Sequence, residues 1–145
     1  FRSANYIVVP TEKNTKEAIA ACRALGEALG FARVTELTPA EHDEIIGFVS
    51  QLTHCIAVAL MTCNDDEHLE DYTGDSFRDL TRIARINDEM WSELFLLNRE
   101  ALLSQIDAFT AQLARLRATI AEGRRDDMRA LMRRSAERRA KFDKK

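Results

Sequence analysis

The chain has 145 residues, 46% apolar and 31% charged, with five Gly, two Pro and three Cys. That is enough for a domain core, too few turn formers for an all-β fold and too apolar for disorder. The net charge of −3 hides an asymmetry: residues 1–110 carry nine basic and nineteen acidic groups (net −10), residues 111–145 twelve and five (net +7).

In chain order, Phe1 opens the sequence with no charged-then-apolar leader after it, so no signal peptide is expected. Asn5–Pro10 reads as a fully apolar buried parallel strand closed by proline. Asn14, with Glu17 three residues on, predicts a capped helix whose stripe is Ile19, Cys22, Leu25 and Leu29, ended by Gly30. Arg33–Leu37 reads as a second strand. One strand–helix–strand unit leaves its sheet edges bare, so residues 1–37 are expected to end a larger domain.

From Thr38 the pattern is helical throughout. Thr38-Pro39-Ala40-Glu41 carries a complete helix start. Helices are expected at about 39–63, 77–86, 88–97, 99–121 and 126–142, with Gly74 and Gly123 in the breaks and an acidic loop over 65–75. Ile45 to Asn64 lacks Asp, Glu, Lys and Arg over 20 residues. Central Ser50, Gln51, Thr53 and His54, and the absence of flanking Lys or Arg anchors, favour a core helix with a polar face over a membrane span. Helix 99–121, about 34 Å long, spreads its apolar residues over a broad face and calls for a subunit interface. The basic C-terminal helix suits phosphate or an acidic membrane surface, or is a solvated helix beside acidic neighbours. The second reading is preferred, and with no interleaved aromatics neither nucleic acid nor membrane is expected as a partner.

No Gly-x-Gly-x-x-Gly, P-loop, Cys-x-x-Cys or His-Glu-x-x-His occurs, so no cofactor-binding or metal residue is assigned in this chain. The three cysteines have no metal spacing and read as thiols of a reducing compartment, hence a cytoplasmic protein. On a regular helical wheel, His42, Asp43, Gly47, Ser50 and His54 share an arc of about 140°, with Ile45, Phe48, Leu52 and Ile56 opposite. Gly47 inside a helix suggests a close approach. Asp79 and Arg82 are i,i+3 neighbours, which fits either an oriented carboxylate-binding guanidinium or a surface ion pair; spacing does not decide.

His42-Asp43, then Ser50-Gln51-Leu52-Thr53-His54, Asp79-Leu80-Thr81-Arg82-Ile83-Ala84, Met90-Trp91 and Asn98 together resemble the C-terminal half of the prephenate dehydrogenase family. The resemblance covers nearly the whole chain. It implies a mostly α fold: a helical dimerisation domain like the C-terminal domain of 6-phosphogluconate dehydrogenase, preceded by a β-α-β remnant of a Rossmann-type domain. Residues 1–37 would be that remnant and 38–145 the dimerisation and substrate domain. The implied reaction of the full-length protein is NAD(P)-dependent oxidative decarboxylation of prephenate to 4-hydroxyphenylpyruvate, in tyrosine biosynthesis. The implied base is a His upstream of Phe1, so this chain alone is expected to be inactive and to bind no NAD. By the resemblance, Arg82 binds a substrate carboxylate with Asp79 orienting it, His54 and Ser50 line the side-chain pocket, and His42 and Asp43 stand at its entry. Arg78 and Trp91 are further pocket candidates. Gln51, a further substrate-binding candidate by the resemblance, stands where the family often has His, and Thr53 replaces a Pro, which would make the helix more regular. A homodimer, with tyrosine as a possible inhibitor, is implied. Arogenate as substrate, or a non-catalytic dimerisation or ligand-sensing module, are the alternatives.

Overall fold

The computed structural model describes Phe1 and residues 4–142. Strand β1 (Asn5–Val8) pairs in parallel with β2 (Arg33–Glu36), Asn5 opposite Arg33 and Val8 opposite Glu36, and α1 (Lys16–Ala28) links them. The strands are shorter than expected, and β1 buries only Val8, because a single partner strand and one helix cover it.

Helix α1 departs from its expected start and stripe. Its N-cap is Thr15, whose hydroxyl accepts from the Ala18 N–H. The Asn14 side chain instead accepts from the N–H and hydroxyl of Thr11, closing the preceding turn. Leu25 and Leu29 are exposed, while Gly26 is buried. A Cβ on Gly26 would stand 2.7 Å from the Tyr6 ring, so ring contact, not the apolar stripe, fixes the packed face. Tyr6 also packs on Phe31 at 5.0 Å. Gly30 adopts φ +75 just past the helix end, as a residue without Cβ can do freely.

Thr38 starts α2 (Pro39–Ile46) with a full capping box: its hydroxyl accepts from the Glu41 N–H, and the Glu41 carboxylate accepts from the Thr38 N–H at 2.8 Å. The next turn is not α-helical. Gly47–Leu52 is a π-helical turn, after which α3 runs Thr53–Thr62. Thr53 therefore does not regularise the helix, and a wheel at constant phase fails across it. Phe48 and Ile45 are exposed while Gly47, Gln51 and Leu52 are buried. Pro39–Thr62 is long and apolar enough to cross a membrane by length and composition, and 22% of its apolar window is buried within this chain. The fully covered core helix expected from the sequence is thus not formed by the chain alone.

A 3-10 turn (Leu69–Tyr72) lies in the acidic loop. Helix α4 (Asp75–Thr81) is shorter than expected and ends where the Thr81 hydroxyl back-bonds to the Phe77 carbonyl at 2.7 Å and Ala84 turns back onto Thr81. Asn87 caps α5 (Asp88–Leu97), and α6 follows over Arg99–Ala121. Gly123, at φ +64, leads into α7 (Arg125–Arg139) and a final 3-10 turn, Ala140–Phe142.

The chain forms two compact units, Phe1–Gln105 and Ile106–Lys145. Among the described residues, the first unit's buried apolar side chains are Val8, Leu52, Ala57 and Leu102. In the second, Arg124 bridges Glu122 and Asp127, which neutralises part of that unit's basic surplus.

Candidate functional site

The π turn sets the geometry of the polar helix face. The Ser50 carbonyl accepts the Thr53 hydroxyl at 2.6 Å and lies 2.8 Å from His54 Nδ1. A carbonyl only accepts, so Nδ1 carries the proton. The neutral His54 ring therefore presents Nε2 as an acceptor, and the protonated ring presents it as a donor. That ring stacks on Trp91 of α5, centroids 3.7 Å apart at 28°, and Trp91 in turn leans on Phe95 at 5.6 Å. A half-buried aromatic pair with one fixed imidazole nitrogen can hold a planar ring and hydrogen-bond a polar group beside it.

A second group of contacts ties this face to the junction of α5 and α6. Gln51, expected at the substrate, is buried: it donates to the Leu94 carbonyl at 3.1 Å and accepts from Asn98 Nδ2 at 2.8 Å. Asn98 Nδ2 also donates to the Asp43 carbonyl at 2.9 Å. Gln51 is thus a cross-helix connector, and Asn98 is the partner that the sequence reading left without a role. The available signal was a polar residue at the seam between two apolar helices. His42 Nδ1 lies 3.1 Å from the Asp43 carboxylate, a half-buried ring beside an exposed acid. Burial pushes the Cys55 thiol above its ordinary range, which favours its protonated form.

The Asp79–Arg82 ion pair is not formed. Both side chains are exposed, neither bonds the other, and Arg82 sits at the C-cap of α4. Arg82 keeps helical backbone angles (φ −51, ψ −34), so the pair fails at the side chains, which both extend into solvent. Asp79 instead borders a cleft of about 330 Å³ with Thr53, Ile56 and Ile83. Arg78 is exposed on α4. The larger cleft, about 560 Å³, runs along the start of α6 and is lined by Asp43, Glu44, Glu100 and Arg99 among others. Its three carboxylates would repel a dianionic ligand, and it does not include His54, so the candidate site is centred on the His54–Trp91 stack.

The turn from β1 into α1 lacks the features of a dinucleotide phosphate cradle. It carries Pro10 and the Thr11–Asn14 bonds, has no glycine between residues 9 and 15, and the first-turn N–H at Ala18 is taken by Thr15. No cluster of His, Cys, Asp and Glu able to hold a metal is present among the described residues.

Residues 38–134 match the family model described as the prephenate dehydrogenase dimerization domain. The chain is 28% identical to the prephenate dehydrogenase of Bacillus subtilis (strain 168), covering 83% of this chain and 33% of that protein. It is 31% identical to the cyclohexadienyl dehydrogenase of Zymomonas mobilis, over 83% of this chain and 43% of that one. Among solved structures, an arogenate dehydrogenase from Synechocystis superposes at TM-score 0.86 with 25% identity, covering 99% of this chain and 54% of that one. The Aquifex aeolicus prephenate dehydrogenase, solved with hydroxyphenyl propionate and NAD+, superposes at 0.84 with 29% identity, covering 94% and 49%. The chain therefore spans between a third and about half the length of these relatives.

Proposed function

The chain belongs to the prephenate dehydrogenase family, and on that premise we propose that it forms the substrate-binding and dimerising half of an NAD(P)-dependent prephenate dehydrogenase. The full-length protein would convert prephenate to 4-hydroxyphenylpyruvate with loss of CO₂. Residues 1–37 would close the nucleotide-binding domain and 38–145 form the helical domain, in a cytoplasmic homodimer. The observation that carries the reading is the stacked His54–Trp91 pair with Nδ1 fixed on the Ser50 carbonyl, in a chain whose relative is solved with a hydroxyphenyl ligand.

The substrate has two carboxylates, so it needs cationic or N–H donors. Arg82 is the guanidinium proposed to bind one of them; it is exposed and has no ion pair among the described residues, which leaves the fork available. His54 Nε2 and Ser50 would meet the side-chain end, His42 and Asp43 would stand at the entry, and Arg78 and Asp79 would border it. Tyrosine, which keeps a phenol and a carboxylate, would compete there. The cofactor binds outside the described residues, so the 145-residue chain alone is expected neither to bind NAD nor to turn over substrate.

Arogenate is the second reading, favoured by the superposition on the Synechocystis enzyme. The deciding experiment is a dehydrogenase assay of the full-length protein with prephenate and with arogenate, under NAD and NADP in turn. Turnover of prephenate supports the proposal, preference for arogenate shifts it to the second reading, and turnover of neither refutes both.

A further inference from the structure

Gln51 is 4% exposed, within the Gly47–Leu52 π turn. A buried amide must be hydrogen-bonded or it destabilises the fold. Here it is satisfied from outside its own helix, by the Leu94 carbonyl and by Asn98. Asn98 then uses its second N–H on the Asp43 carbonyl, before the π turn. That carbonyl is under-used by the helix itself, since the Gly47 N–H is shared between Asp43 and Glu44. One side chain therefore grips the helix on both sides of the point where its ladder changes pitch.

The phase of α3 depends on that point. A π turn inserts about one residue into the helix and so rotates everything after it by about 100° relative to an unbroken α-helix. His54 lies two residues beyond the turn, and its partner Trp91 lies on α5, whose last carbonyls receive Gln51. We infer that Asn98, acting through Gln51, is a positioning residue that holds the π turn and thereby sets the His54 ring on Trp91. Without the clamp the turn relaxes toward α geometry and His54 rotates off the stack. The inference rests on the proposed reaction only for its catalytic consequence; the stack itself is measurable without turnover.

The test uses the full-length protein and three variants. Asn98→Asp keeps the shape and removes both donors, Asn98→Leu removes the polarity, and Gln51→Met removes the amide from the other side while keeping its length. Trp91 emission, isolated as the difference from the corresponding Trp91→Phe protein, reports the ring stacked on it. In variants that keep their melting temperature and oligomeric state, emission is expected to move to the level of His54→Ala. kcat/KM should fall about 10²-fold, with no further fall when the substitution is made in His54→Ala. Should the Asn98 variants fail to fold, Gln51→Met decides. A folded variant with unchanged Trp91 emission overturns the inference, as does an equal activity loss in the His54→Ala background. If the parent protein turns over neither substrate, the reaction assignment fails, while the emission comparison still decides whether Asn98 sets the stack.

Discussion

Arg82 stands exposed at the end of α4, three residues from an acid it does not pair with. If bound substrate closes the Arg82–carboxylate pair off from water, losing one partner costs about 2–5 kcal/mol, so in the full-length enzyme Arg82→Gln should lower kcat/KM by about 30-fold to a few thousandfold. No intrachain ion pair is broken, so the melting temperature should hold. A near-normal KM and kcat in a stable Arg82→Gln protein would reduce it to a surface residue. Glu41 makes a pH prediction. The Thr38 backbone N–H and then its hydroxyl hold the Glu41 carboxyl below its usual range. A folded value below the unfolded one means the contribution is full above the unfolded pKa of about 4.3 and is lost as pH falls through the lower folded value. Glu41→Gln should flatten that acid limb of the stability curve. Thr38→Ala removes the cap and should cost about 1 kcal/mol at neutral pH, read by denaturant melts.

At the scale of elements, two buried helical glycines predict opposite outcomes. A Cβ on Gly47 would meet Asn98, Ala101 and Gln105 at 3.6–3.7 Å, ordinary contact, and its backbone is helical at φ −51. Gly47→Ala should therefore fold, with a gain of up to about 1 kcal/mol. Gly26→Ala brings a methyl to 2.7 Å from the Tyr6 ring, which is held by Phe31, and should lose about 1–3 kcal/mol; thermal melts of the two variants check both signs. The same pair shows what the sequence could disclose. The Thr38 start, the Asn87–Asn98 limits of α5 and the extent of α6 were legible because caps and periodicity are local. The π turn was not, since 3.6-residue spacing presumes the ladder it breaks, and the stack of His54 on Trp91 and the Gln51–Asn98 bond cross 37 and 47 residues. Thr15 displaced Asn14 as a cap because Thr11 offered the asparagine a nearer donor. The Asp79–Arg82 spacing left two outcomes open, and the structure shows both side chains exposed and unpaired with each other.

For the whole molecule the governing quantity is uncovered apolar surface. Compact bodies of 105 and 40 residues, taken separately, would together expose about 9,000 Å²; the chain exposes 11873 Å². The excess includes large apolar side chains: Phe48 and Val49 on the π turn, Leu97 at 84% exposure, and Leu103, Leu113 and Ile120 on α6. Part of the remainder belongs to the sheet edge and α1 face of residues 1–37. These residues of α6 and of the π turn are large, apolar and exposed, and the match to a dimerization-domain family makes a second copy the expected cover to be tested. Obligate interfaces of this kind bury more than about 2,000 Å², which the excess can supply. Light scattering at micromolar concentration should therefore return twice 16.5 kDa for this chain, and a 16.5 kDa particle would refute the dimer. Leu113→Glu places a charge on that exposed face without disturbing the buried core, so it should weaken association at least tenfold, a loss of about 1.4 kcal/mol or more, while helical content stays. Leu102→Glu, by contrast, puts the charge among the few buried side chains and should unfold the first unit. Dissociation with retained circular dichroism in the first variant, and loss of both in the second, would separate an interface from a core on the same helix.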